Sequence, residues 1–211
     1  LPCAYGRFKN ASGTQNCSDC PAGSYTSAET TLFACASCAP GRRQDVVGQV
    51  NCTLCASGRF MAAGGSTARS CTACALGRVA PVRGAFSCQE CASPTSFMAQ
   101  TGQATCATCP AHAVAAGNHT TCECDAGFIA IPFGQEQVFR ELDLAAYDAY
   151  EAAVEAAGNG TDDVNAQLGF WCGACPEGAD CRRPGTTLAT VRALDGFFAG
   201  LDGTNTTFVA C

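Results

Sequence analysis

The sequence predicts a small disulfide-rich fold: elongated tandem cysteine-rich repeats with short β-hairpins, little regular structure and one helical insert. Three observations carry that prediction. Nineteen of the 211 residues are cysteine, a density that marks an oxidised scaffold. Cys-x-x-Cys pairs recur through residues 1–124 at steps of 16 to 19. Six of the seven asparagines (Asn10, Asn16, Asn51, Asn118, Asn159 and Asn205) open an Asn-x-Ser/Thr sequon, whereas Ser and Thr at about 15% of the chain would give roughly one by chance.

Composition supports the same class. The chain has one Trp and four Tyr, and Ala and Gly make up much of its apolar fraction. Small side chains bury little area at roughly 25 cal/mol per Å², so cross-links are expected to replace a large core. Net charge is -6, which argues against nucleic acid as a partner. Residues 1–124 carry eight basic and five acidic side chains, and residues 125–211 carry four and thirteen. No run of about 18 apolar residues occurs, so no membrane span is expected in this segment. The sequence opens at Leu1-Pro2-Cys3 and closes at Cys211, both within cysteine motifs. The chain is therefore expected to be a segment of a longer protein.

Counted from the second cysteine of each pair, a frame appears: Cys20-Pro-Ala-Gly23-Ser-Tyr25, Cys38-Ala-Pro-Gly41-Arg-Arg43, Cys55-Ala-Ser-Gly58-Arg-Phe60 and Cys74-Ala-Leu-Gly77-Arg-Val79. Cys3-Ala-Tyr-Gly6-Arg-Phe8 opens the series without a first cysteine, and Cys122-Glu-Cys124-Asp-Ala-Gly127-Phe128 closes it with a contracted pair. Glycine three residues after a cysteine permits a positive-φ turn beside a disulfide. The residue two further on is placed to cover the bridge. Gly13, Gly48, Gly84 and Gly102 stand four residues before the next pair and mark a second turn. Each repeat reads as a looped hairpin that must stack on its neighbours. Residues 93–97 and 110–114 depart from the frame.

The pattern C-x2-C-P-x-G-x-[YF]…G-x3-C-x2-C resembles the ephrin-receptor-like cysteine-rich repeat, a relative of the tumour-necrosis-factor-receptor type modules. The resemblance covers residues 3–130 and implies architecture, not a particular activity. The chain accordingly divides into repeats over 1–130, an acidic helical insert over 131–171, and a C-terminal cysteine-containing module over 172–211.

Two pairings fit the spacing. A ladder joins each second cysteine to the next first one: Cys3–Cys17, Cys20–Cys35, Cys38–Cys52, Cys55–Cys71, Cys74–Cys88, Cys91–Cys106 and Cys109–Cys122, with Cys124–Cys172, Cys175–Cys181 and Cys211 left over. The alternative joins first to first and second to second, such as Cys17–Cys35 with Cys20–Cys38, and strands Cys3. The ladder is favoured.

No cysteine occurs in the 47 positions between Cys124 and Cys172, which include the insert. Residues 141–157 are rich in helix formers and run into Gly158-Asn159, so a helix is expected there. Leu142, Ala146, Ala149, Ala153 and Val154 can share a face, and residues 135–163 hold eight acids against Arg140.

Zinc is the rival for the cysteines, because paired C-x2-C motifs suit a tetrahedral thiolate site. The sequons, the even cadence and isolated Cys3 favour disulfides, and repetition makes each C-x-x-C read as structural rather than redox-active. His112 and His119 have no neighbours that suggest a triad, and Asp162-Asp163 lacks the alternating acids of a calcium loop. No enzyme is expected, and no cofactor beyond covalent N-glycans. Arg7, Arg42, Arg59 and Arg78 recur after the turn glycine and could form a stripe that engages acidic glycans or another chain. The expected function is an extracellular structural or adhesive spacer, or an assembly segment, in a large glycosylated surface, wall or filament protein (flagellar-hair-like). Its partners would be other protein chains or copies of itself, and the alternative is a ligand-binding receptor ectodomain.

Overall fold

The computed structural model describes residues 2–10, 16–28, 33–132, 168–195, 197–202 and 205–210, the last two ranges as backbone only. The expected helix at 141–157, Asn159 and Cys211 lie outside these residues. Apart from helical Leu168, the regular structure among them is strand, and each strand belongs to a two-stranded antiparallel hairpin. Strand β1 (Arg7–Phe8) pairs with β2 (Ser18–Asp19), β3 (Ser24–Tyr25) with β4 (Ala36–Ser37), and β5 (Arg42–Arg43) with β6 (Thr53–Leu54). Strand β7 (Arg59–Phe60) pairs with β8 (Thr72–Ala73), β9 (Arg78–Val79) with β10 (Gln89–Glu90), and β11 (Ser96–Phe97) with β12 (Ala107–Thr108). Strand β13 (Ala113–Ala116) pairs with β14 (Thr121–Cys124), β15 (Phe128–Pro132) with β16 (Phe170–Ala174), β17 (Ala179–Asp180) with β18 (Arg192–Ala193), and β19 (Phe197–Asp202) with β20 (Asn205–Ala210). The chain is thus a disulfide-rich repeat fold.

Nine disulfides join the described cysteines in ladder order: Cys3–Cys17, Cys20–Cys35, Cys38–Cys52, Cys55–Cys71, Cys74–Cys88, Cys91–Cys106, Cys109–Cys122, Cys124–Cys172 and Cys175–Cys181. The two cysteines of a Cys-x-x-Cys pair flank one short strand, so they face different bridges. The first seven bridges close separations of 13 to 16 residues, each worth roughly 3 kcal/mol by chain entropy.

The chain divides into two compact units, Leu1–Cys91 with Met98–Cys106, and Ala92–Phe97 with Ala107–Cys211. In the first unit the buried side chains are mostly half-cystines, together with Val79, Ala80, Met98, Ser24, Thr26 and Gln44. The three buried polar groups are satisfied, and Ser24 Oγ donates to Pro21 O at 2.7 Å. Thr26 Oγ1 accepts from the Gly6 amide and donates to Arg7 O, while Gln44 Nε2 donates to Asn51 O and its Oε1 accepts from the Val46 amide.

The second unit has conventional apolar packing. One cluster gathers Phe97, Cys109, Ala113, Cys122, Cys124, Ala130 and Cys172, and another gathers Ile129, Ile131, Trp171, Ala179 and Cys181. Hairpin β15–β16 supplies both, because successive residues on a strand face opposite sides. It also crosses the sequence boundaries at 130 and 171. The insert therefore occupies the loop of one repeat hairpin, whose strands align Pro132 with Phe170.

Candidate interaction surface

The repeats are joined through their backbones by a recurring set of hydrogen bonds. Within the first unit, the amide of the glycine three after the cysteine donates to a carbonyl of the next repeat: Gly6 to Thr26, Gly23 to Gln44, Gly41 to Met61, Gly58 to Ala80 and Gly77 to Met98. The last four acceptors follow a short strand, and Thr26 follows β3 in the same way. A second glycine, ten residues after the cysteine, returns a bond to the preceding repeat: Gly48 to Cys20 O, Gly65 to Cys38 O and Gly84 to Cys55 O. Gly102, shifted by one, donates to Cys74 O.

The two glycines also meet each other, two repeats apart. A Cβ added to Gly6, Gly23, Gly41 or Gly58 would lie 2.8, 2.8, 2.7 or 2.5 Å from the carbonyl carbon of Gly48, Gly65, Gly84 or Gly102 respectively, with the oxygen closer still. All eight glycines have φ between +67° and +85°. Only glycine satisfies the positive φ and the close approach together. Counting ten from the second cysteine finds Gly48, Gly65 and Gly84 and falls one short of Gly102, whereas counting back four from the next pair finds all but Gly65, because loop lengths vary.

The departures at 93–97 and 110–114 have local solutions. Residues 92–97 hold one extra residue, and a turn replaces the glycine: the Ser96 amide donates to Ser93 O, and Ser96 Oγ donates to the same carbonyl. Thr95 O then accepts from the Cys109 amide, as Gly77 O does from Cys91. His112 keeps the glycine position and its conformation, at φ +59°, with its ring stacked on Phe128 at a centroid distance of 4.0 Å. His119, ten after Cys109, has φ +63° and its Nδ1 lies 2.9 Å from Ser96 O.

The C-terminal module of the second unit follows the same bonding plan. The Gly127 amide donates to Cys181 O, the Gly185 amide to Cys124 O and the Ala130 amide to Thr186 O. Val191-Arg192-Ala193-Leu194 stands where a Cys-x-x-Cys pair would stand: β18 occupies its middle, and the Leu194 amide donates to Gly178 O. Half-buried Val191 packs on the Ile129–Trp171 cluster, and Cys175 bonds to Cys181 instead.

The arginines after the turn glycine are exposed, but each is engaged by its own hairpin. Arg7 Nε donates to Asp19 Oδ1 at 2.6 Å, and Arg78 pairs with Glu90. Both acids face their arginine across the strand pair. Where the opposing residue is not acidic, the guanidinium reaches a half-cystine carbonyl: Arg42 donates to Cys52 O at 3.4 Å and Arg59 to Cys71 O at 2.9 Å. The sequon asparagines Asn10, Asn16, Asn51 and Asn118 are exposed, Asn118 at the tip of the β13–β14 hairpin with φ +60°. Asn205 opens β20.

Eighteen cysteines are oxidised, so the thiolates a zinc site would need are taken up in bridges. Among the described residues no group of three or more His, Cys, Asp or Glu could hold a metal ion. No helix among them is long and apolar enough to cross a membrane. Nine disulfides mark an oxidising environment of the extracellular or secreted kind. No protein-family model matches the chain, and a search of curated proteins returns no match.

Proposed function

We propose that the chain is a structural spacer or assembly segment of a large glycosylated extracellular protein, of the wall, matrix, stalk or surface-filament kind. Its repeats are read as ephrin-receptor-like modules, its setting as the cell surface reached through the secretory pathway, and its role as non-enzymatic. The observation that supports this most is the backbone bonding between repeats. Each repeat of the first unit is tied to its neighbour through main-chain amides and seated on its second neighbour by a glycine pair. Stability in such an array depends on the interfaces between repeats, so a pull on one repeat is shared by the next. Glycans on the exposed asparagines would cover the flanks. The charge contrast, eight basic against five acidic side chains over 1–124 and four against thirteen over 125–211, suits contact between copies.

Sedimentation velocity of the glycosylated chain tests the reading. Association that weakens with salt, and that is lost when acids within 135–163 are neutralised, is the expected result. A chain that stays monomeric and captures a soluble protein ligand would overturn it in favour of a receptor ectodomain.

A further inference from the structure

The second unit contains a pocket of about 480 Å³, lined among others by Asp180, Arg182, Arg183, Thr186, Thr190 and Arg192. Residues 125–211 hold only four basic side chains, and three of them converge here. Arg182 is committed: its Nε donates to Asp180 Oδ1 at 2.8 Å and its Nη2 to Oδ2 at 2.7 Å. That fork holds the Asp180 carboxyl well below the usual carboxylate range and uses both of its oxygens. Arg192 faces Asp180 across the β17–β18 pair and, among the described residues, makes no ion pair or side-chain hydrogen bond, and neither does exposed Arg183. Two further carboxylates come near without lining the pocket. Glu123 approaches Gly185, and Asp195 adds a weaker attraction to Arg182. The lining therefore carries three cations and one anion.

We infer that this pocket binds the sulfate or carboxylate group of an acidic saccharide, gripped by Arg183 and Arg192. Guanidinium groups with free donors recognise such oxyanions through paired, charge-assisted bonds. The threonine hydroxyls of Thr186 and Thr190 flank the site, and among the described residues no large apolar side chain lines it. A peptide would ordinarily anchor through buried aromatic or aliphatic groups, so this lining suits a sugar better. The regular arginines Arg7, Arg42, Arg59 and Arg78 are the less suitable receptors because each is already bonded within its hairpin. The inference holds whether or not copies of the chain assemble.

Calorimetric titration of the full chain with four probes tests it: a dextran sulfate oligomer, a polygalacturonate oligomer, neutral dextran and polyglutamate. The expected result is binding of one or both acidic sugars, weakening as salt rises, with the sulfate and carboxylate arms showing which group is preferred. R183A/R192A is expected to weaken that binding roughly a hundredfold, about tenfold per charged contact. R183K/R192K should retain part of it, and R7A/R42A/R59A/R78A should stay within about twofold of the parent. An unchanged non-reducing disulfide map in each variant confirms that it is folded. Absence of acidic-sugar binding, a loss under about threefold in R183A/R192A, an equal loss in the four-arginine variant, or equally tight polyglutamate would each overturn the inference.

Discussion

Gly58→Ala tests the glycine pairing directly. Gly58 has φ +81°, and a Cβ there would lie 2.5 Å from the carbonyl carbon of Gly102. To admit a methyl group, the two backbones must separate by roughly 1 Å or more, since ordinary Cβ contacts begin near 3.4 Å. That separation strains three bonds: the Gly58 amide to Ala80 O at 2.8 Å, the Cys74 amide to Gly58 O at 2.9 Å and the Gly102 amide to Cys74 O at 2.8 Å. Losing two or three of them costs about 1 kcal/mol each, and placing alanine at positive φ adds about 1 kcal/mol. The total is about 3–4 kcal/mol, or roughly 6–16 °C in Tm for a chain of this size. Gly127→Ala is the internal control. Gly127 occupies the same frame position at φ +87° but has nothing within 4 Å of an added Cβ. It should lose only the conformational part, about 1 kcal/mol. The measurement is thermal unfolding followed by near-ultraviolet circular dichroism with the disulfides intact. Equal shifts for the two variants would refute the claim that the close approach, rather than positive φ alone, requires glycine at 58.

Three other outcomes follow from the same geometry. Non-reducing peptide mapping should recover Cys20–Cys35 and Cys38–Cys52, and a Cys17–Cys35 peptide would contradict the ladder. Replacing Cys124 and Cys172 together by serine should cost about 4 kcal/mol by chain entropy, against about 2 kcal/mol for Cys175 with Cys181. The bridges close separations of 48 and 6 residues, and denaturant midpoints compare the two variants. The Asp180 carboxyl, whose pKa Arg182 lowers chiefly through a side-chain hydrogen bond, should stay ionised at pH 3 in a carbon-detected titration and return to the ordinary range in Arg182→Ala. Its folded pKa is depressed, so its contribution to stability is present above the unfolded carboxylate value and is lost as pH falls through the folded one.

The cysteine cadence alone determined the class of fold and a short choice of pairings. Each second cysteine lies 13 to 16 residues from the next first one, so the bridges could be proposed from local spacing. The turn glycines were legible for the same reason, because positive φ is a property of one residue. Repetition of arginine after the glycine was legible too, but its partners were not. Asp19 and Glu90 meet Arg7 and Arg78 through strand register, which spacing suggests only once the hairpin is known. Register also revealed Val191 and Leu194 in the place of a cysteine pair, and the insert within a hairpin loop.

Only the tertiary structure decided how repeats hold one another. The glycines at 6 and 48, or 58 and 102, are more than forty residues apart and belong to alternate repeats, so no local periodicity links them. Their contact exists because backbones approach closely when neither carries a side chain. Likewise, Arg182, Arg183 and Arg192 line one pocket because β18 pairs with β17 and sets Arg192 opposite Asp180, beside the arginines that follow it. Covalent cross-links and single-residue backbone preferences are local and can be read along a chain. Close approach between distant backbones, and convergence of like charges, depend on how the repeats stack.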